Sequence, residues 1–340
     1  MKQLKIIAAL VAGLFTFSSA NAGEMSVTGS MHATYQSNSE NETGNPLGMN
    51  TDLTFTGTTE VLDGTAVTWT MGTDGTFVGD ASADHKIVFA SPYGNFKIGN
   101  SGDSANAIDD ITPTAFEEAN GSGSGTYTTD FGSGMEGSMS LGYAKSDIMG
   151  SGVSIDYTYY PKLDATTNNE KGASGGATPS SNKAQSANIQ VDVGAVPGLD
   201  AAAGLKLAVG YELSESLVDA LRNKEGGTVA LNYATGPIKA GYQRKVYQAL
   251  STSARTKSFF KDDIYGVAYA INDELAISYN VIESNNHTDT GHIEQETKAI
   301  NAAYTIGGLT IAFQDADTDN AAYVTDSEDN TRTLSLKTAF

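Results

Sequence analysis

The last ten residues of the chain alternate between apolar and polar side chains, and the same alternation recurs along most of the sequence. Side chains on an extended strand point to opposite faces in turn. One face would carry Leu334, Leu336, Thr338 and Phe340, and the residues between them would form a polar face. Because residues typical of turns separate the copies, the pattern predicts an all-β fold of two-faced strands.

The first 22 residues have the pattern of a secretory signal peptide. Lys2 and Lys5 precede the apolar run from Ile6 to Phe17, and Ala20-Asn21-Ala22 provides the small residues of a cleavage site. The run is shorter than the about 18 apolar residues that a membrane-spanning helix requires. We therefore expect residues 1–22 to be removed after export. Since no later segment is long and apolar enough for a membrane helix, a membrane location would require strands.

Composition and charge restrict the partners of the chain. It contains 37 Gly and 16 Tyr but no Cys, so hydrogen-bond ladders rather than disulfides must hold an exported fold. The formal net charge of −20 becomes −22 in the mature chain, because the signal peptide carries two lysines and no acids. An acidic field of this kind attracts cations and argues against nucleic acid as a partner.

Sixteen segments predict strands, and short turns alternate with longer polar loops between them. The segments are 25–36, 50–61, 65–72, 85–90, 95–99, 137–145, 152–160, 188–193, 204–211, 228–234, 238–247, 262–271, 274–282, 298–306, 309–314 and 331–340. Residues 126–131 also look like a strand, but a seventeenth strand would place the long stretch 161–186 among the short turns. We therefore assign them to a long third loop, about 100–135. The pattern predicts a transmembrane antiparallel β-barrel spanning 23–340, with both chain ends on the periplasmic side.

Two motifs resemble the general-diffusion porin family of Gram-negative bacteria. The sequence Ile-Val-Phe-Ala-Ser-Pro-Tyr-Gly-Asn-Phe-Lys-Ile-Gly at residues 87–99 resembles the hairpin that precedes loop three, and Phe340 resembles the assembly signal of the family. The chain departs from the family at Asn100, where a basic residue is usual, and at Thr338, which is less apolar than usual. The resemblance implies an outer-membrane homotrimer without a cofactor. Its partners would be lipid, lipopolysaccharide, and the small hydrophilic solutes and ions that diffuse through its water-filled channel.

The same resemblance implies that loop three folds inward and narrows the channel. The carboxylates of this loop are Asp103, Asp109, Asp110, Glu117 and Glu118, and no Lys or Arg lies between residues 100 and 135. Strand alternation places the basic residues His32, Lys86, Lys97 and Lys337 on the polar, lumenal face. An acidic loop opposite a basic wall would set a transverse field and favour cations weakly. The pattern alone leaves open that these carboxylates are only solvated loop charges.

Two groups of residues suggest metal binding. Asp315, Asp317 and Asp319 have the one-three-five spacing of a calcium loop, although Asn320 replaces the usual glycine at position six. These residues could bind calcium or magnesium. The alternative is that they form an acidic surface loop without a metal. His287 and His292, five residues apart, fall in a segment that the pattern predicts to be a polar loop, where such spacing favours no metal site.

Other functions remain as alternatives to a general channel. An enzyme would need Ser or Thr beside an oriented His, and no motif of that kind accompanies His32 or His85, so we expect no catalysis. A substrate-specific channel is the nearest rival, but Lys206, Lys239 and Lys245 are too sparse for the basic ladder of a phosphate-selective pore. A structural or adhesive barrel would need a domain that plugs the lumen.

Overall fold

Sixteen antiparallel strands close into one barrel, in which each strand pairs with its neighbours in sequence and the first pairs with the last. The computed structural model describes residues 23–38, 45–62, 65–74, 84–100, 104–120, 131, 135, 138–163, 183–217, 221–248, 258–288 and 291–340. The predicted all-β antiparallel barrel is confirmed. The signal peptide, residues 1–22, lies outside the described residues.

The strands are β1 (Glu24–Asn38), β2 (Leu47–Leu62), β3 (Thr65–Asp74), β4 (Asp84–Ser91), β5 (Gly94–Gly99), β6 (Ser140–Lys145), β7 (Val153–Tyr160), β8 (Ala184–Asp192), β9 (Leu205–Ser214), β10 (Lys224–Thr235), β11 (Ile238–Gln248), β12 (Phe259–Ala270), β13 (Leu275–Thr288), β14 (Gly291–Ile306), β15 (Leu309–Asp319) and β16 (Glu328–Ala339). Short 3-10 turns occupy Asn106–Ile108, Ile148–Gly150, Val193–Ala195, Asp200–Ala202 and Ala321–Tyr323. Over the described ranges, no helix has the length and apolar character needed to cross a membrane.

The strands follow the predicted order, but several are longer than predicted at the end opposite the short turns. Strand β13 was expected to end at 282 and continues to Thr288, and β14 begins at Gly291 rather than at 298. These extensions carry mostly polar side chains on both faces, with Ile293 as an exception, so they lack the apolar alternation that identifies a strand. The predicted polar loop around His287 and His292 is therefore wrong, because both residues lie in strands.

The two faces of the sheet differ in polarity. On β15 the apolar side chains of Ile311 and Phe313 are exposed, whereas Ala312 and Gln314 between them are buried. Aromatic side chains are exposed on the same outer face, and they include Tyr35, Trp69, Tyr211, Tyr233, Tyr269, Tyr279 and Tyr304. An apolar outer band with aromatic residues is typical of barrels surrounded by lipid.

The packed interior lies between the third loop and the barrel wall. Apolar side chains of the loop and of the wall pack against each other there, since a barrel of this width is too wide for its own side chains to fill. Three clusters of buried side chains form this interior, and the third also includes Leu163 from the connection after β7. The first contains Ala105, Ile108, Phe131, Ala208 and Ala230, the second Ala119, Ile264, Ile282, Ala299 and Ala316, and the third Met135, Tyr160, Leu163 and Ala184.

Candidate functional site

Loop three, residues 100–139 between β5 and β6, begins its contact with the wall at Ser104. The Ser104 hydroxyl donates to Asp156 Oδ1 at 2.9 Å and lies 2.7 Å from Thr158 Oγ1. The Ser104 backbone N–H donates to Ser186 Oγ at 3.1 Å. Since these partners lie on the polar face of β7 and β8, the loop is attached to the inside of the barrel at this point.

Two wall amides hold the middle of the loop. Gln243 on β11 is fully buried; its Nε2 donates to the Ile108 carbonyl at 2.8 Å and its Oε1 accepts from the Ile111 backbone N–H at 3.3 Å. Asn232 Nδ2 on β10 donates to the Ile111 carbonyl at 2.8 Å. Side-chain amides thus satisfy backbone groups that a loop without strand partners would otherwise leave unpaired.

Wall amides also hold the far part of the described loop. Asn280 Nδ2 on β13 donates to the Pro113 carbonyl at 3.0 Å, and Gln314 Nε2 on β15 donates to the Glu118 carbonyl at 2.8 Å. The described residues 104–120 therefore cross the polar face from β7 to β15. The remaining strands, β1 to β6 and β16, complete the closed barrel.

Glycines on the polar face make room for the loop. A Cβ atom at Gly210 would lie 2.5 Å from Ile108 Cδ1, and one at Gly266 would lie 2.6 Å from the Pro113 carbonyl oxygen. A Cβ at Gly241 would lie 2.4 Å from Pro113 Cδ. Any larger residue would overlap the loop, so the wall is shaped to receive it along this path.

Two of the predicted acidic residues meet one wall lysine. Lys245 Nζ donates to Asp110 Oδ1 at 2.7 Å, and the Lys245 side chain is only 3% exposed. Glu118 Oε1 accepts from Thr112 Oγ1 at 2.8 Å. Burial is the largest cause, and the nearby Asp110 carboxylate the second, of a rise in the pKa of Glu118 to about 8. Glu118 is therefore protonated at neutral pH.

The pKa of Asp110 moves in the opposite direction. Burial alone would raise it, but the Lys245 ammonium and the hydrogen bonds from Glu118 and Lys245 together hold the pKa of Asp110 below its ordinary value. Asp110 is consequently an ionised carboxylate whose charge is balanced by Lys245, with about half of its side chain exposed (49%). The two neighbouring acids thus carry one negative charge rather than two.

The remaining predicted acids have different surroundings. Asp109 is half-buried and interacts electrostatically with Lys245. Burial raises the pKa of Glu117, and the Lys337 ammonium on β16 opposes that rise. Glu117 and Lys337 therefore lie within electrostatic range of each other, and their role in a constriction stays a prediction. Asp103 lies outside the described residues.

The other predicted wall residues do not meet the predicted acids. Lys97 Nζ forms a 2.5 Å ion pair with Asp156 of β7, at the point where the loop begins. His32 Nε2 lies 2.7 Å from the buried Ser335 hydroxyl of β16. Lys86 lies on β4 next to the exposed Ile87, which places it on the polar face as predicted. These three residues line the wall but do not contact the described acids of the loop.

Sequence reasoning missed Asp156 as a site residue and weighed Lys245 only for the basic ladder of a phosphate-selective pore. Both lie on the polar face of a strand, next to outward-facing residues such as Tyr157 and Val246. Alternation could therefore have placed them in the lumen. Their partners Ser104 and Asp110 could not have been found in this way, because loop and wall meet through tertiary packing.

A second segment also covers the inner wall. In the β15–β16 connection, residues 320–327, the Tyr323 hydroxyl lies 2.6 Å from Ser284 Oγ, which donates to the buried Asp262 at 2.5 Å. The Tyr323 ring contacts Phe260 with ring centroids 5.7 Å apart. Four residues of this segment have left-handed backbone conformations, which are costly for residues other than glycine. These residues are Asn320, Ala322, Tyr323 and Asp326. We call residues 320–327 the mouth segment.

The predicted calcium-loop residues lie on a strand. Asp315, Asp317 and Asp319 occupy alternate positions of β15, and Asp315 Oδ1 accepts from Arg332 Nε at 3.2 Å. Alternate residues of a strand lie about 7 Å apart on one face, which is not the geometry of a calcium loop. In the part of the chain that the structure describes, no group of three or more His, Cys, Asp or Glu is arranged to hold a metal ion. Binding of calcium or magnesium at these residues stays a prediction.

Comparison with known proteins defines the fold class. No protein-family model and no curated protein matches the chain, but solved structures do. A porin refined at high resolution superposes with a TM-score of 0.67 at 14% identity, covering 93% of this chain and 100% of that chain. The trimer form of OmpT, an outer-membrane protein of Vibrio cholerae, gives 0.63 at 11% identity, covering 94% and 100%. An anion-selective porin from Comamonas acidovorans gives 0.63 at 10% identity, with the same coverage.

The fold is therefore that of the Gram-negative outer-membrane porins, as the two sequence motifs indicated. Identities this low establish the fold alone. The charge of the pore and the solutes that pass must be argued from the residues of this chain.

Proposed function

We propose that this chain forms a water-filled channel through the outer membrane, and that small hydrophilic solutes and ions diffuse through it passively. The observation that carries the proposal is the path of loop three, which is held on the polar face from Ser104 to the Gln314 contact. A barrel of sixteen strands leaves an aqueous lumen, and a loop held along one side would narrow that lumen. No catalytic step forms part of the proposal.

The charges at the loop favour weak cation selectivity. Glu117 and Asp110 are the described acids that we propose as the pore constriction, together with Asp109, while Glu118 is neutral at pH 7. Lys245 and Lys337 partly offset their charge. Rings of acidic side chains attract cations, but a nearly balanced set does so only weakly. We therefore expect a small preference for potassium over chloride.

The proposal extends to assembly and export. We propose a homotrimer, which the trimer form of the similar OmpT structure supports. The exposed apolar outer band would contact lipid and lipopolysaccharide, and residues 1–22 would act as the cleaved signal peptide. The channel would need no cofactor.

A substrate-specific channel is the second candidate, and the mouth segment favours it. Tyr323 and Phe260 place aromatic rings over the inner wall beside the buried Asp262. A channel mouth narrowed on this side would discriminate between solutes more finely than an open lumen. A structural or adhesive barrel, in contrast, would pass no ions.

Reversal potentials of the mature protein in planar bilayers under a potassium chloride gradient test the selectivity. We expect Glu117→Gln and Asp110→Asn each to reduce the cation preference. Glu118→Gln should leave it unchanged at pH 7, because that carboxyl is already protonated. Glu225→Gln, on the outer face of β10, is the matched control.

A wild-type channel that prefers anions would overturn the proposed selectivity. An unchanged reversal potential in both Glu117→Gln and Asp110→Asn would show that loop three is not the filter.

A further inference from the structure

Two of the four histidines of the chain face each other across a strand pair. His287 on β13 and His292 on β14 are register partners, and their ring centroids lie 5.3 Å apart at an interplanar angle of 26°. Thr288 and Gly291 form the next pair, where Thr288 Oγ1 donates to the Gly291 carbonyl at 2.9 Å. The two rings therefore stack at the end of the hairpin, although five residues separate them in sequence.

The separation of the rings matches shared coordination of one metal ion. A zinc–nitrogen bond of about 2.1 Å places the metal about 3.2 Å from the centre of each imidazole ring. A tetrahedral angle at the metal then separates the two ring centres by about 5.2 Å. The observed 5.3 Å is close to this value. Because the rings are stacked, both side chains must rotate to direct one nitrogen of each ring at a common ion.

The neighbouring residues orient the pair and leave it accessible. Phe259 on β12 stacks on His287 with centroids 4.4 Å apart and an interplanar angle of 11°, which restricts that ring before any ion binds. A restricted ligand loses less conformational freedom on binding. His292 is exposed. Among the described residues, Lys261 on β12 interacts with His287, and Glu294 lies two residues after His292 on the same face of β14.

We propose that His287 and His292 together bind a divalent transition-metal ion such as zinc, nickel or copper. Imidazole nitrogens suit these ions, whereas calcium and magnesium prefer oxygen ligands. Water completes the coordination, and the ion exchanges with the medium. The site lies on the outer face of the β13–β14 hairpin and does not depend on the channel function.

Isothermal titration of the full mature barrel in detergent with zinc chloride tests the site. We expect one zinc ion to bind per chain, and calcium chloride to give no such isotherm. Loss of a group that merely supports a metal ligand weakens binding roughly 10–100-fold. His287→Ala and His292→Ala should therefore each weaken binding at least about tenfold. His85→Ala, a histidine on a different strand, is the matched control and should bind as the wild type does.

A second measurement does not depend on the variants. The copper-loaded wild type should show an electron paramagnetic resonance spectrum with hyperfine structure from two equivalent imidazole nitrogens. Absence of zinc binding by the wild type would overturn the proposal, as would unchanged binding in both alanine variants. A copper spectrum with a single nitrogen ligand would also overturn it.

Discussion

Ionisation of Glu118 is the most informative perturbation of loop three. Its Oε1 accepts from Thr112, but its buried Oε2 has no hydrogen-bond donor, so only a protonated carboxyl that donates to Asp110 satisfies both oxygens. The ordinary pKa is 4.5 and the pKa in the barrel is about 8. This difference corresponds to roughly 4–5 kcal/mol that opposes ionisation in the folded protein.

The raised pKa of Glu118 determines how the stability of the folded protein depends on pH. Because the folded protein binds this proton more tightly than the unfolded chain, the stabilisation is complete below pH 4.5 and is lost as pH rises through about 8. Above that pH a second negative charge appears next to Asp110. The loop should then be held less tightly, and the channel should prefer cations more strongly.

The assay is the reversal potential of single channels under a potassium chloride gradient between pH 6 and pH 9. The wild type should gain cation preference with a midpoint near pH 8, and Glu118→Gln should show no transition. Glu225→Gln on the outer face should behave as the wild type. A wild-type preference that stays constant through this range would refute the reasoning, as would a transition that persists in Glu118→Gln.

Three further changes test the attachment of the loop and of the mouth segment. Gly266→Ala should displace loop three at a cost of about 1–3 kcal/mol and alter the single-channel conductance. Gly227→Ala is the control and should leave the conductance unchanged, because its Cβ would lie 3.7 Å from the nearest atom. Equal conductance in the two variants would show that the packing of the loop on Gly266 does not matter. Lys245→Met removes a charged hydrogen bond to the half-exposed Asp110, which is worth about 1–2 kcal/mol after solvent screening. Protease cleavage within loop three should therefore accelerate roughly 5–30-fold. An unchanged cleavage rate would show that the contact between Lys245 and Asp110 does not hold the loop. Tyr323→Ala should widen the mouth and admit larger polyethylene glycols, and an unchanged polymer cut-off would show that the mouth segment does not limit passage.

The order of strands could be predicted because a lipid-facing barrel imposes a strict period of two. In β15, Ile311 and Phe313 alternate with Ala312 and Gln314, and this alternation is visible without any structure. Beyond the apolar band both faces are polar, so the outer half of the β13–β14 hairpin, including His287, looked like a loop.

The composition of the site could be predicted better than its pairing. An acidic third loop and lumenal lysines followed from the sequence, but the partners of those charges did not. Lys97 pairs with Asp156 rather than with the loop, and Asp110 meets Lys245. These contacts depend on where a loop of about forty residues settles on the wall, which glycines such as Gly266 determine through packing.

Single-channel recording of the mature wild-type protein in planar bilayers tests most directly whether the barrel is an open aqueous channel narrowed by loop three. Protein whose folding is verified by heat-modifiable migration should produce discrete, ohmic conductance steps, and small polyethylene glycols should reduce these steps while large ones do not. Folded and inserted protein that produces no steps would contradict the account and favour a closed structural or adhesive barrel.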